Sequence, residues 1–490
     1  MQNTIHPNSK ESAPNQQIKQ PIVFDTETTA IDHKFGSITQ FACKESDGNP
    51  NSNTPVHVAD VRIPRGTLIE PEAMLKTGMS FREVTNPSRM SSYTFAKKLS
   101  AYFDKNPNKI WAAFNSRFDV DFIQSHQYKN AFDPYAMKKD GRNPFDVRPL
   151  FLLGTMLNKN GKGLHLPTLK NGNYDSTQEG LAIANGLPKY NAHNAGADVQ
   201  TLDKLLHLAL NCSAELRACY DICQHKDSLR SNARNSDFFL TLTYSRTEGP
   251  SLNAQVVLGR HPKYGNQDLC IRVNDLSLDD IASRTILAKI QQGSGNVKFT
   301  ALKPNLAPLI VTANSALANL LISPELTAHY HQIVSALTDL KPKLLAEASK
   351  AATQKVQAYK APEYLEEAMV SGGFFNNEDQ KLLKKFHDAA PQHKFALVEG
   401  LADDRLICFC KRIIHDNWPE TLPAKDLKNL NDELFWRLTT RENVPWLTIS
   451  KALEKIEMIE PNCLAQPSQL LAEYRADLIA LQADPIKQAG

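Results

Sequence analysis

At 490 residues the chain exceeds the roughly 250 to 300 that one hydrophobic core supports, so two to four domains are expected. Hydrophobic residues at 41% and charged residues at 22% exclude a fibre or a wholly disordered chain, and a net charge of +3 means that any nucleic-acid affinity must come from a local basic face. No apolar run approaches the roughly 18 to 20 residues that span a bilayer, and scattered cysteines fit a reducing compartment, so a cytoplasmic protein without membrane contact is expected.

The first twenty residues, MQNTIHPNSKESAPNQQIKQ, lack the apolar segment of a secretory signal and read as a disordered polar tail. From residue 21 the runs PIVFDTET, SITQFACK and PVHVADVRIP are β-branched or aromatic and are separated by short polar links, which predicts three successive antiparallel strands. SYTFAKKLSAYFDKNP then places Phe95, Leu99 and Tyr102 at helical spacing and stops at a proline-containing loop. KIWAAFN reads as a strand and FDVDFIQ as part of the next helix. A last helix begins near Ala195 and carries the apolar stripe Val199, Leu202, Leu205 and Leu206. Together these predict a mixed sheet flanked by helices over residues 21–212.

Between about 215 and 350 the runs FFLTLTY, AQVVLG, LCIRVNDL, VKFTAL and PLIVTAN predict a small β-rich domain, assigned to 213–352. Cys219, Cys223 and His225 lie close together there. Without a fourth ligand at regular spacing, buried thiols on one face of the helix ELRACYDIC are favoured over zinc. From about 358 to 486 the pattern is helical, with LEEAMV, DQKLLKKFHDA, LICFCKRIIHD, KDLKNLNDELFWRLT and PSQLLAEYRADLIALQ. No fixed-period repeat is present, which argues against a solenoid.

The chemistry concentrates in the first domain. Asp25 and Glu27 are two apart on a strand, so both carboxylates project to one face near its C-terminal end. Two such anions are costly together unless a cation sits between them, and a hard divalent ion such as Mg²⁺ or Mn²⁺ suits oxygen ligands. An Asp-x-Glu triplet alone is weak, but Asp119 follows the strand KIWAAFN, and Asp198 opens the last helix five residues after His193. Singly, the two later acids also suit a first helical turn, where the macrodipole favours them; His193 alone also suits a surface loop, and Asp25 with Glu27 a solvated strand end.

FDTETT, NSRFD and HNAGAD, the last with its His-x4-Asp spacing, resemble the motifs of the DEDD exonuclease superfamily of the ribonuclease H-like fold, in its histidine branch. SITQFACK, LKTGMSFREV and PFDVRPLF agree more weakly. FDPYAM, GGFFNNEDQ and HDNWPETL extend the likeness to the bacterial exodeoxyribonuclease I family, over nearly the whole chain beyond the tail. That resemblance implies an α/β nuclease domain followed by an SH3-like β domain and a helical C-terminal domain, with one departure, a short stretch from Thr241 to Gly259.

By the same resemblance, Asp25, Glu27, Asp119 and Asp198 hold two Mg²⁺ ions, for which Mn²⁺ substitutes, and His193 is the general base. Glu27, Thr28 and Phe118 contact the substrate. The implied activity is hydrolysis of single-stranded DNA from its 3′ end by two metal ions, releasing 5′-mononucleotides in DNA repair and recombination. The implied form is a monomer that also binds the C-terminal tail of single-stranded DNA-binding protein.

For strand contact, base stacking and cationic side chains are the general means, and Phe118, Arg117 and the KLLKK run near Lys384 are candidates. Phe118 equally suits the core, and KLLKK the solvated face of a helix. Two other readings are an RNA-trimming or proofreading exonuclease of the same superfamily, because the motifs do not distinguish sugars, and a non-catalytic nucleic-acid-binding protein on a nuclease scaffold. The C-terminal domains argue against the first, and the presence of all four acids and the histidine against the second.

Overall fold

The computed structural model describes residues 21–49, 54–107, 109–139, 144–158, 163–292, 297–357, 361–462 and 465–483. The polar tail at 1–20 and the residues after 483 lie outside them. Strands β1 (Ile22–Thr28), β2 (Ile38–Glu45), β3 (His57–Arg62), β4 (Met90–Ser91), β5 (Trp111–Ala113) and β6 (Phe145–Asp146) form a six-stranded mixed sheet in the order β4-β3-β2-β1-β5-β6. The first three pair antiparallel, as short links require, whereas β5 and β6 join in parallel through intervening helices.

β1 is central, so both its faces are covered and Ile22, Val23 and Phe24 are fully buried. Ile22 and Phe24 pack with Phe95, Val120 and Phe122, from the helices Ser92–Lys105 and Arg117–Lys129. Val23 and Ala42 pack on the opposite face against Val199, Leu202, Leu205 and Leu206 of the helix Ala195–Cys212, the stripe expected from sequence. The even and odd residues of one strand therefore look toward different helical layers, which decides where Asp25 and Glu27 point.

The second sheet is antiparallel throughout: β7 (Phe239–Ser245), β8 (Gly249–Arg260), β9 (Asp268–Arg272), β10 (Phe299–Leu302) and β11 (Ile310–Thr312), in the order β10-β9-β8-β7-β11. Each of the five sequence runs contributes one strand. The same stretch also holds helices that a β-rich reading omits, among them Lys226–Asn235, Pro324–Ala336 and Lys341–Gln357. In Pro324–Ala336 only Tyr330, Ile333 and Val334 are buried, too short a stripe to set a helical period.

The β7–β8 hairpin reaches back to the first domain. Tyr174 donates its N–H to the Arg246 carbonyl at 2.7 Å, and the Tyr244 hydroxyl donates to the Tyr174 carbonyl at 2.8 Å. Gly249 follows the turn at φ +80°, and a Cβ there would stand 3.0 Å from the Tyr174 ring, so both conformation and space require glycine. Cys219 and Cys223 lie on the helix Ala214–Cys223 and are buried, with sulfurs 3.1 and 3.8 Å from the Ile310 carbonyl. His225 starts the next helix, and the three do not converge on a metal position.

The C-terminal helices fold back over the first domain in two groups. Leu383, Phe386, Leu406 and Ile414 pack around Tyr93 and Ala131. The helices Ile449–Ile459 and Ala465–Ala483 cover Met74 and Phe81, and the Tyr474 hydroxyl donates to the Ile69 carbonyl at 2.8 Å. Between these groups buried Glu366 accepts from Arg412 at 2.8 Å and pairs with Arg437 at 3.1 Å. The result is a roofed cleft above the end of β1.

Candidate active site

Asp25 and Glu27 lie opposite Ala42 and Gln40 in the β1–β2 ladder, and a register shift follows Glu27, where β1 leaves the sheet. As odd-numbered residues they share the face of Val23 and look toward the helix Ala195–Cys212, whose first turn carries Asp198. Oxygens of Asp25, Glu27 and Asp198 all lie within 4.8 Å of one another, and among the described residues no other group of metal-binding side chains converges in this way. The helix is held at this position by its start: Asn194 accepts from the Ala197 N–H at 3.2 Å, and Gln40 accepts from the Ala195 N–H at 2.9 Å.

Asp119 arrives from the other helical layer. It sits in the first turn of Arg117–Lys129, after the tight turn at Asn115, φ +58°, that ends β5. Its Oδ1 accepts from the Thr26 N–H at 3.0 Å and from Thr26 Oγ1 at 2.6 Å. Thr26, the even residue between the two strand acids, thus pins Asp119 across the end of the sheet.

Burial and mutual repulsion dominate the electrostatics. Glu27, Asp119 and Asp198 are only 8%, 3% and 9% exposed. Desolvation, followed by the charges of Asp198 and Asp119, pushes Glu27 up to about 8. Burial pushes Asp119 up to about 7 against the two Thr26 hydrogen bonds. Asp25 is held well above the usual carboxylate range by burial first and then by Asp119, Asp198 and Glu27. Four carboxyls that resist ionisation in a common pocket form a set that a cation would stabilise, and all-oxygen ligands suit a hard divalent one.

Asp198 is the most supported of the four. Its Oδ1 accepts from the Tyr190 hydroxyl at 3.0 Å and from Gln178 Nε2 at 3.0 Å, and its Oδ2 accepts from the His193 N–H at 2.9 Å. His193 is held in the left-handed region, φ +66°, which turns its backbone toward Asp198 while its half-exposed ring lines the cavity. Burial and the charge of Lys76 lower its pKa, favouring a neutral imidazole. Tyr190→Phe and Gln178→Ala are each expected to weaken divalent-metal binding by about 10- to 100-fold, the usual cost of losing a group that orients a ligand. Mn²⁺ titration checks this, and unchanged affinity in both variants would show that Asp198 needs neither.

All five of these residues line one cavity of about 1190 Å³ between the sheet end and the C-terminal helices. Thr28 and Phe118 line it too, although each also has a structural contact: Thr28 Oγ1 donates to the Ala30 carbonyl at 2.9 Å, and Phe118 packs on Phe122 with ring centroids 4.9 Å apart. Arg117 does not line it. Its side chain is exposed and stands 3.5 Å from Asp121. Lys384 lies on the exposed face of the helix Asn377–Asp388, whose Leu383 and Phe386 are buried, away from this cavity.

Sequence reasoning missed Thr26, Gln178, Tyr190 and Lys76, which act on the acids, and Gln40, which holds the start of the helix that carries Asp198. Tyr190 stands three residues before His193 and Lys76 lies within LKTGMSFREV, but nothing in their spacing distinguishes them from surface residues. Gln178 comes from a separate helix, Gln178–Ala184, and only the packed structure brings it to Asp198.

No protein-family model matches the sequence. Two curated relatives do. Exodeoxyribonuclease I of Buchnera aphidicola is 26% identical over 179 residues, 36% of this chain and 43% of the relative. That of Escherichia coli is 27% identical over 176 residues, 36% of each chain. The sequence match thus spans less than half the length of either relative.

The structural likeness is broader. Exonuclease I from Methylocaldum szegediense superposes with a TM-score of 0.76 at 22% identity, covering 94% of this chain and 100% of that one. E. coli exonuclease I in complex with a dA16 oligonucleotide gives 0.75 at 19% identity with the same coverage. The zinc-bound form of the E. coli exonuclease I complex with single-stranded DNA gives 0.76 at 19%, again with that coverage. The chain has the exonuclease I fold across nearly its whole length.

Proposed function

We propose that the chain is a divalent-metal-dependent exodeoxyribonuclease that removes nucleotides from the 3′ end of single-stranded DNA, releases 5′-mononucleotides and serves DNA repair and recombination. The observation that carries this reading is the convergence of Asp25, Glu27 and Asp198 beside Asp119 in a roofed cavity that His193 also lines. Support also comes from the fold neighbours crystallised with oligonucleotides and from one described as SSB/exonuclease I, with a TM-score of 0.74 over 96% of this chain. On this reading the chain is a cytoplasmic monomer, the partners are single-stranded DNA and the C-terminal tail of single-stranded DNA-binding protein, and the domains divide at 21–212, 213–352 and 358–486. Among the described residues no helix is long and apolar enough to cross a membrane.

Asp25, Glu27, Asp119 and Asp198 would hold two Mg²⁺ ions, or Mn²⁺ in their place. Bound there, such ions supply hydroxide at neutral pH and charge stabilisation for the departing 3′ oxygen. The protein's own residues do the rest. Thr26 fixes Asp119, and Tyr190, Gln178 and the His193 N–H fix Asp198, so the acids do not have to reorganise when a cation arrives. His193, neutral at pH 7, takes the proton of the attacking water on a ring nitrogen. Thr28 and Phe118, at the cavity wall, contact the terminal nucleotide.

The test is digestion of 5′-labelled single-stranded DNA, beside its duplex and RNA counterparts, with Mg²⁺ or EDTA. Shortening of the single-stranded DNA alone, only with Mg²⁺, is the expected result. Preference for RNA would make the protein an RNA-trimming exonuclease, and binding without shortening would leave only the scaffold. His193→Ala is expected to lose about 10²- to 10⁴-fold in rate near neutral pH, and a wild-type rate in that variant at every pH would remove the histidine from the chemistry.

A further inference from the structure

The helix Pro71–Thr77 forms one wall of the cleft, and its backbone is held from both sides. The Glu70 N–H donates to the Thr29 carbonyl at 2.8 Å, tying the helix start to the chain leaving β1, and Glu70 pairs with Lys455 at 2.7 Å. Pro71 and Met74 are buried, Met74 against the C-terminal helices, and Gly78, in the left-handed region, closes the helix by donating to the Met74 carbonyl at 2.8 Å. Two residues past Met74 is more than half a turn around, so Lys76 points away from that core. It lines the same cavity as Asp25, Glu27, His193 and Asp198.

Lys76 is exposed, and among the described residues its ammonium has no ion-pair or hydrogen-bond partner. The ordinary partner for a helical lysine is an acid four residues earlier. Glu72 occupies that position, yet it lies toward Lys455, 3.4 Å away. Several other cations around the cavity are engaged, Lys34 with Glu367, Lys129 with the carbonyls of Lys34 and Gly36, Arg148 with Ser176, and Arg412 and Arg437 with Glu366, while Arg65 and Arg246 also line it. Lys76 acts instead through space, and it opposes the upward pKa shift of Asp25, Glu27 and Asp198 alike.

We propose that Lys76 positions the substrate strand by holding one of its phosphates against the acid cluster, and that the same charge loosens the cluster's hold on divalent metal. The inference rests on the nuclease reading above and adds a residue to it. A point charge on a flexible stem suits a phosphate without selecting a base. A cation that attracts the polyanion must also repel a dication bound beside it, so removing Lys76 moves the two affinities in opposite directions.

The experiment compares the full-length wild type with Lys76→Gln, Lys76→Arg and, as a surface control, Lys98→Gln, whose lysine is exposed on the helix Ser92–Lys105. Strand binding is read by the fluorescence anisotropy of a labelled oligothymidylate in Ca²⁺ across a salt series, and metal binding by Mn²⁺ titration without DNA. In Lys76→Gln the slope of log affinity against log salt is expected to fall by about 0.7, one single-strand phosphate contact, while Mn²⁺ binds about threefold more tightly. Lys76→Arg restores both, and Lys98→Gln changes neither.

A salt slope and Mn²⁺ affinity in Lys76→Gln equal to wild type would overturn the proposal, as would both affinities falling together, which is the mark of local misfolding. Cleavage of the strand by wild type is scored separately. Its failure would remove the nuclease reading, while the anisotropy and Mn²⁺ series would still decide Lys76.

Discussion

Asp25→Asn is expected to abolish metal-dependent shortening of single-stranded DNA, with a loss of about 10³-fold or more. The metal contribution to such reactions amounts to several kcal/mol, and each 1.36 kcal/mol is roughly a factor of ten in rate. Asp25 lies in mid-ladder opposite Ala42, with Phe24 and Thr26 on the other face, so an isosteric amide keeps the strand and its packing. What it removes is one of the anions that converge with Glu27 and Asp198. An uncharged amide oxygen is a weak substitute toward a divalent cation, and Mn²⁺ binding should fall with activity. The fold should not suffer, because burial and three neighbouring acids already oppose the charge of Asp25. A variant within tenfold of wild-type activity that binds Mn²⁺ normally would place the metal elsewhere.

Much of this site can be read from the chain because it obeys local rules. The run PIVFDTET ends a buried strand with acids two residues apart, and period-two geometry puts Asp25 and Glu27 on one face without tertiary information. Asp119 and Asp198 each occupy a first helical turn, a position with a recognisable local pattern.

The groups that hold these acids follow no such rule. Thr26 bonds Asp119 across 93 residues, and Gln178 reaches Asp198 from another helix, so their roles depend on how the layers pack. The roof is hidden for the same reason: the pairing of Glu366 with Arg412 and Arg437 looks in sequence like ordinary surface charge. Arg117 and the lysines near Lys384 show the other side of the same limit. Their composition suits DNA, but the fold turns Arg117 toward Asp121 and leaves Lys384 outside the cleft.

Glu27→Gln is expected to stabilise the metal-free protein at pH 8 while destroying its activity. In the unfolded chain a glutamate titrates near 4.5, whereas in the fold Glu27 is pushed up to about 8. Between those values the folded state keeps a proton that the unfolded state has lost. The group therefore contributes its full stability below about pH 4.5, loses it progressively as the pH rises toward 8, and leaves a buried charge above that.

Glutamine does not titrate, so the two proteins should melt alike near pH 4.5 and diverge with rising pH. Each pH unit between the unfolded and folded pKa of a carboxyl costs about 1.36 kcal/mol, so the window from about 4.5 to about 8 gives an expected gap of roughly 4 kcal/mol at pH 8. Melting in EDTA from pH 4.5 to 8.5 measures it, and parallel curves would show that Glu27 carries no such cost. Adding Mn²⁺ should close the gap from the wild-type side only, and more at pH 8 than at pH 5, because the metal takes the ionised carboxylates. The repulsion among crowded carboxylates that destabilises the metal-free protein at high pH is thus also what favours a cation there.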